Sequence, residues 1–195
     1  MMEKRKSTIT TIILSLTLIT AAGLTLQACA YEDDDDDDAY FLGSSLPRRV
    51  DFRPADDPRY LEECGSCHMA YPPGMLPAKS WQRIMSGLED HFGENAELDT
   101  ETTRQITEYL TANAADKTRI GRAPNVARSI GIDPPLRFTE TRYFMNKHLE
   151  IPERLVTNNP DVGSFSRCEA CHRGAEQGNY DEHQVRIPGV GRWDD

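Results

Sequence analysis

The sequence predicts an all-α, loop-rich protein, and three observations carry that prediction. Apolar residues recur at helical spacing in several segments, as Trp81, Ile84 and Leu88 do at i, i+3 and i+7. The 12 prolines and 13 glycines divide these segments into short pieces. No stretch shows the sustained alternation of a β-sheet; only residues 184–187 alternate weakly, like a short strand.

Five helices are predicted from periodicity and from their start and stop signals. They cover residues 58–71, 77–93, 99–114, 139–149 and 164–175. Residues 116–138 are rich in proline and glycine, so we interpret them as a long connection. This connection predicts two halves, residues 51–120 and 121–195.

The pattern Cys-x-x-Cys-His occurs once in each predicted half. Its members are Cys64, Cys67 and His68 in the first copy and Cys168, Cys171 and His172 in the second. Two thiols about one helical turn apart can add to the two vinyl groups of a porphyrin, and the histidine that follows can bind the iron from below. The sequence therefore predicts two covalently bound haem c groups and two haem-carrying halves of c-type cytochrome character packed together.

Other uses of these cysteines explain less of the pattern. A zinc site would join two pairs that lie about a hundred residues apart, and it needs neither adjacent histidine. A thioredoxin-like motif requires a βαβ setting, which the sequence does not indicate. Disulfides fit an exported chain but leave both histidines unexplained.

The amino terminus predicts export. Residues 1–30 have a basic start, an uncharged apolar run from 9 to 26 and small residues at the end, which is the layout of a signal peptide. Cys29 is either the lipidated first residue after a lipobox or is lost by cleavage before Tyr31. An uncleaved anchor is the third reading, since the run approaches spanning length. Each places the body outside the cytoplasm, soluble or tethered to a membrane.

Residues 31–50 form a predicted acidic, flexible linker and lead-in, because six successive aspartates at 33–38 repel one another. The whole chain has a formal net charge of −10. This charge argues against nucleic acid as a partner. It indicates instead that a redox partner would present a basic patch.

Each haem iron also needs a ligand on its second side. Of the remaining histidines, His91 lies on the predicted apolar face of the 77–93 helix and His148 lies near Phe144. Isolated histidines on such faces are usually core residues, but two irons here require partners. We therefore predict His91 and His148 as the distal ligands. His183 follows two acidic residues in a polar loop and is interpreted as a surface residue.

Methionine is the rival ligand type, because a thioether raises the reduction potential relative to a second imidazole. Met75 is the best methionine candidate, since it lies in a Pro-Pro-Gly loop that could present its sulfur. His183 and Met75 are thus the alternatives to the two predicted histidines.

Four segments, residues 64–74, 90–95, 147–152 and 168–172, together resemble the bacterial dihaem cytochrome c family. The resemblance extends from about residue 40 onward. It implies a periplasmic electron carrier with two bis-histidine haems. It also implies a small oxygen-binding cytochrome or a membrane b-type cytochrome as redox partner. The assignment of His91 to the first haem and His148 to the second rests on their positions in the chain.

Electron transfer without substrate chemistry is the predicted function, so the chain is not expected to be an enzyme. Two alternatives stay open: a dihaem peroxidase-like enzyme, and a gas-sensing or redox-sensing haem protein. Both need one iron with an open coordination position, and a peroxidase also needs distal acid–base residues.

Overall fold

The computed structural model describes residues 50–193. The predicted signal peptide, Cys29 and the aspartate run lie outside the described residues. Within residues 50–193, no helix has the length and apolar character needed to cross a membrane.

The described residues are mostly helical, as predicted, and the helices are short. They are α1 Pro58–Cys64, α2 Ala78–Met85, α3 Thr100–Ala112, α4 Ala123–Ser129, α5 Arg142–Lys147 and α6 Cys168–Cys171. Short 3₁₀ turns lie between the helices at Pro73–Met75, Leu88–Asp90, Phe138–Glu140 and Glu153–Leu155, and two more follow α6 at Ala175–Gln177 and Glu182–Gln184. Two short antiparallel strands, β1 Arg186–Ile187 and β2 Gly191–Arg192, form a small hairpin where weak alternation was noted.

Helix α3 has nearly the predicted bounds. Asp99 caps it, and its carboxylate accepts hydrogen bonds from the backbone N–H groups of Glu101 and Thr102. Ile106 and Leu110 point into the core and are almost fully buried. A cap followed by a periodic apolar stripe is the clearest helix signal a sequence can carry, and here it is confirmed.

The two helices predicted around the first motif are shorter than expected. Helix α1 ends at Cys64 with Gly65 as its C-cap, so the rest of the motif lies in the following turn and not in a helix that reaches residue 71. Helix α2 ends at Met85, before Gly87, because glycine is a poor helix former. His91 therefore does not share a helix face with Trp81, and that interpretation was wrong.

Three further predictions are corrected in the second half of the chain. Helix α6 is a single turn, Cys168–Cys171, instead of spanning 164–175. Helix α5 begins only at Arg142, because Thr141 caps it after a 3₁₀ turn. The segment 116–138, predicted as a connection, contains helix α4. Pro124 is compatible with this helix because it lies in the first turn, where the backbone N–H has no partner within the helix.

Two clusters of buried apolar residues form the core. The first packs α1, α2 and α3 together around Trp81, whose indole N–H donates to the Pro73 carbonyl at 2.8 Å. The second surrounds Phe52 and includes Met75 and residues of α4. Asp51 stabilises this second cluster. Its carboxylate accepts hydrogen bonds from the Arg122 guanidinium at 2.9 Å and from the Tyr180 backbone N–H at 2.6 Å. The core thus joins residues of both predicted halves, and the boundary between them stays a prediction.

Candidate functional site

The first Cys-x-x-Cys-His motif faces His91. The turn after α1 carries His68, and the centres of the His68 and His91 rings are 6.2 Å apart, with an angle of 15° between the ring planes. A metal–imidazole bond is about 2.0 Å long, and the ring centre lies about 1.1 Å behind the nitrogen, so two imidazoles on opposite sides of one metal have centres about 6.2 Å apart. The pair therefore has the separation that one iron between the rings requires.

The second motif faces His148 with the same separation. His172 follows α6 and His148 follows α5, and their ring centres are also 6.2 Å apart. The ring planes differ from those of the first pair, since they meet at 75°. The chain thus builds two histidine pairs of equal spacing but different relative orientation.

Backbone carbonyls select the tautomer of one histidine in each pair. His68 Nδ1 lies 2.8 Å from the Met69 carbonyl oxygen, and His148 Nδ1 lies 2.9 Å from that of Phe144. A carbonyl only accepts, so Nδ1 must carry the proton in both rings. The Nε2 lone pair is then free to bind a metal.

Burial keeps the ring nitrogens available. It lowers the pKa of His172 to about 4, with the neighbouring His148 adding to the effect. Burial also lowers the pKa of His148. The pKa of His91 is lowered mainly by burial, and the nearby His68 and Arg137 lower it further by charge repulsion. These three imidazoles are therefore neutral near pH 7, which is the form that ligates iron.

None of the four motif cysteines forms a disulfide in the described part of the chain. Burial raises the pKa of Cys64 to about 11 and that of Cys168 to about 12, so neither is a thiolate at neutral pH. Within residues 50–193, no three histidine, cysteine or acidic side chains converge as a metal site would require. The two cysteine pairs are thus not arranged as a four-thiolate zinc site.

A partly open cavity is lined by His148 and His172. Its walls are largely apolar, with Phe144 stacked on His148 at 3.8 Å between ring centres and Phe165 edge-on to the same ring. The Tyr180 hydroxyl also lies in this wall, and it is buried without a hydrogen-bond partner in the described part of the chain. A haem fits both features, because its porphyrin is flat and apolar while its propionates can accept a hydrogen bond.

The first pair is more open to solvent. Cys67 and His68 are exposed, and His91 is only half-buried. Phe92 packs edge-on against the His91 ring at 4.8 Å, and the Arg137 guanidinium lies 3.9 Å above the Phe92 ring. A haem held by this pair would therefore be covered less completely than one held by the second pair.

Comparison with known proteins identifies the family. Residues 60–180 match the family model described as dihaem cytochrome c. The chain belongs to the dihaem cytochrome c family. Membership means that it carries two c-type haems, as the two motifs predicted.

Solved structures of the same family resemble the chain closely. A dihaem cytochrome type c from Shewanella baltica OS155 is 47% identical, with a TM-score of 0.59, over 70% of this chain and 97% of its own. A dihaem cytochrome c from Rhodobacter sphaeroides is 43% identical, with a TM-score of 0.59, over 66% and 99%. A separate search of curated proteins finds no match.

The fold pairs each motif histidine with one of the two predicted distal histidines. Of the two alternatives, His183 lines a second, polar cavity together with His172, and Met75 lies in the core. His183 is exposed and forms no ring pair with another histidine among the described residues. Met75 is fully buried in the second core cluster, against Ala123 and Val126. Two tyrosines were missed: Tyr71 lies beside His68 and Tyr180 beside His172, at 5.5 and 5.3 Å between ring centres. Only the position of Tyr71, three residues after a motif histidine, could have indicated one of them.

Proposed function

We propose that this dihaem cytochrome c carries electrons between redox partners and has no substrate chemistry of its own. The observation that carries the proposal is the equal 6.2 Å separation of the two histidine pairs. If each pair holds one iron on both sides, no coordination position stays open for a small molecule. An enzyme or a gas sensor needs such a position.

In this proposal, each motif would supply two thioether bonds and one imidazole. Cys64 and Cys67 would attach the first haem, and Cys168 and Cys171 the second. His68 and His91 would hold the first iron, while His172 and His148 would hold the second. The haems supply one-electron exchange between ferric and ferrous iron.

The polypeptide orients these histidine ligands and covers them with apolar side chains. The Met69 and Phe144 carbonyls hold His68 and His148 in the tautomer that binds through Nε2. Phe144 and Phe165 cover the His148 ring with apolar surface. Two imidazoles, without a thioether, favour potentials below those of His/Met cytochromes.

The partner and the compartment follow from the family resemblance and from charge. We propose a periplasmic location, with Cys29 as the point of attachment if the protein is lipidated. A small oxygen-binding cytochrome or a membrane b-type cytochrome is the proposed partner. Because the chain has a net charge of −10, the partner's docking surface is expected to be basic and the association to weaken with salt.

The test is spectroscopic and uses the purified holoprotein. Mass spectrometry should find two covalent haems, and the double substitution Cys168→Ala with Cys171→Ala should leave one. The oxidised protein should be fully low-spin with no methionine–iron band, and complete reduction should take up two electrons. Stoichiometric binding of carbon monoxide to the reduced protein would instead support the peroxidase-like or the sensing alternative.

A further inference from the structure

We propose that Tyr71 is a positioning residue that couples the two haem sites for electron exchange between them; the proposal rests on the electron-carrier function above. Its ring lies 5.5 Å from the His68 ring, between centres. Its hydroxyl donates a hydrogen bond of 2.5 Å to the Ser166 backbone carbonyl. One side chain thus contacts the axial imidazole of the first site and the peptide that leads into the second motif.

The Tyr71 backbone is held as firmly as its hydroxyl. The hydroxyl of Tyr60, which is only 3% exposed, donates to the Tyr71 carbonyl at 2.9 Å. Pro72 follows directly and restricts the backbone conformation of Tyr71. The position of the ring relative to His68 is therefore fixed by the α1 core and does not depend on the second motif.

The acceptor is equally well placed. Ser166 precedes Cys168 by two residues, and its own N–H donates to the Ser164 hydroxyl at 3.1 Å, which stiffens this segment. From His68 the contacts run through the Tyr71 ring, across one hydrogen bond and along two peptide units to Cys168. Electron tunnelling decays more slowly through bonds and hydrogen bonds than across gaps, so this route favours exchange between the sites.

Tyr180 does not provide an equivalent link. Its ring lies beside His172, but its hydroxyl reaches no partner in the described part of the chain. Residues 71 and 166 are 95 positions apart, and the bond between them joins the two motif segments directly. Removing this one hydroxyl should therefore loosen the relative placement of the sites while leaving each histidine pair intact.

The experiment compares Tyr71→Phe with Tyr109→Phe in the complete holoprotein. Tyr109 is a matched control, because its hydroxyl also makes long-range hydrogen bonds, to Asp56, and its ring packs against Tyr60 without touching a histidine. Electron exchange between the haems is measured in half-reduced protein from exchange of haem methyl NMR signals. The Soret circular dichroism couplet reports the relative orientation of the haems.

Tyr71→Phe should keep two low-spin haems, slow the inter-haem exchange severalfold and reduce the Soret couplet. Tyr109→Phe should lose stability but change neither readout. In the parent protein, the Tyr71 hydroxyl proton should be visible by NMR and protected from solvent, a measurement that needs no variant.

Exchange and couplet unchanged in Tyr71→Phe would overturn the proposal, as would equal changes in both variants, which would show a structural role alone. A Tyr71 hydroxyl proton that exchanges freely in the parent would also overturn it. Failure of the electron-carrier function is distinguishable, because it would appear in the parent itself as an open iron or as incomplete reduction.

Discussion

Substitution of His148 by alanine should open one iron and leave the other closed. The change removes the ring whose centre lies 6.2 Å from that of His172. The apolar side chains of the surrounding wall, such as Phe144 and Phe165, cannot ligate iron in its place. Among the residues that line this cavity, Tyr180 has the only polar ring besides the two histidines, and burial raises its pKa above the ordinary tyrosine value, so it stays a weakly ligating phenol.

Since one haem of two is affected, half of the ferric haem should become high-spin, and the reduced variant should bind one carbon monoxide per protein. Quantitative electron paramagnetic resonance and a carbon monoxide titration measure both numbers. His91→Ala should give the same half-conversion at the first haem. His183→Ala, the control at an exposed histidine, should change neither number. A His148→Ala protein that stays fully low-spin would refute the assignment of His148 as a ligand.

Three further predictions concern the ring planes, a helix cap and acid stability. Ring angles of 15° and 75° should give two distinct low-spin resonance signals, a rhombic one and a more anisotropic one. Thr141→Ala removes the acceptor for the Phe144 N–H and should lower the free energy of unfolding by about 1 kcal/mol in chemical denaturation, whereas Thr141→Ser should retain it. Hydrogen bonds from the Thr102 hydroxyl and backbone N–H lower the pKa of Asp99 below its ordinary value of 3.8. The stability that this carboxylate contributes is therefore present at neutral pH and lost as the pH falls below that ordinary value toward the lowered one; Asp99→Asn should flatten this loss in denaturation at acid pH.

The cysteine motifs and α3 could be predicted because their signals are local. The spacing of Cys64, Cys67 and the histidine that follows predicts haem attachment by itself, and the Asp99 cap directly precedes the apolar stripe of α3. Both kinds of signal lie within a single turn or helix. Their interpretation therefore does not depend on how the rest of the chain folds.

The structure places His91 opposite His68, as predicted, but not by the helix that the prediction assumed. Helical periodicity put His91 on one helix face with Trp81, whereas α2 ends before Gly87. A tight turn then presents His91, and the next residue, Phe92, has a φ of 59°, a left-handed conformation that is uncommon outside glycine. Periodicity cannot reveal such a turn. The bond from Tyr71 to Ser166 was equally inaccessible, since nothing local connects positions 95 residues apart.

The short helices around the sites give the iron–histidine bonds a structural role besides their electronic one. Helices α5 and α6 have six and four residues, well below the roughly 12–15 that an isolated helix needs to persist in water. In the proposed ligation, one iron would close a loop of about 23 residues between His68 and His91, and the other a loop of about 24 residues between His148 and His172. By the chain-entropy treatment of cross-links, each closure contributes about 3 kcal/mol. The first core cluster, with the 13-residue α3, has apolar packing of its own. Helices α5 and α6 are the shortest α-helices of the described residues, so the second closure is expected to contribute more to their stability. If the proposed ligands hold both irons, they also stabilise the elements that position them.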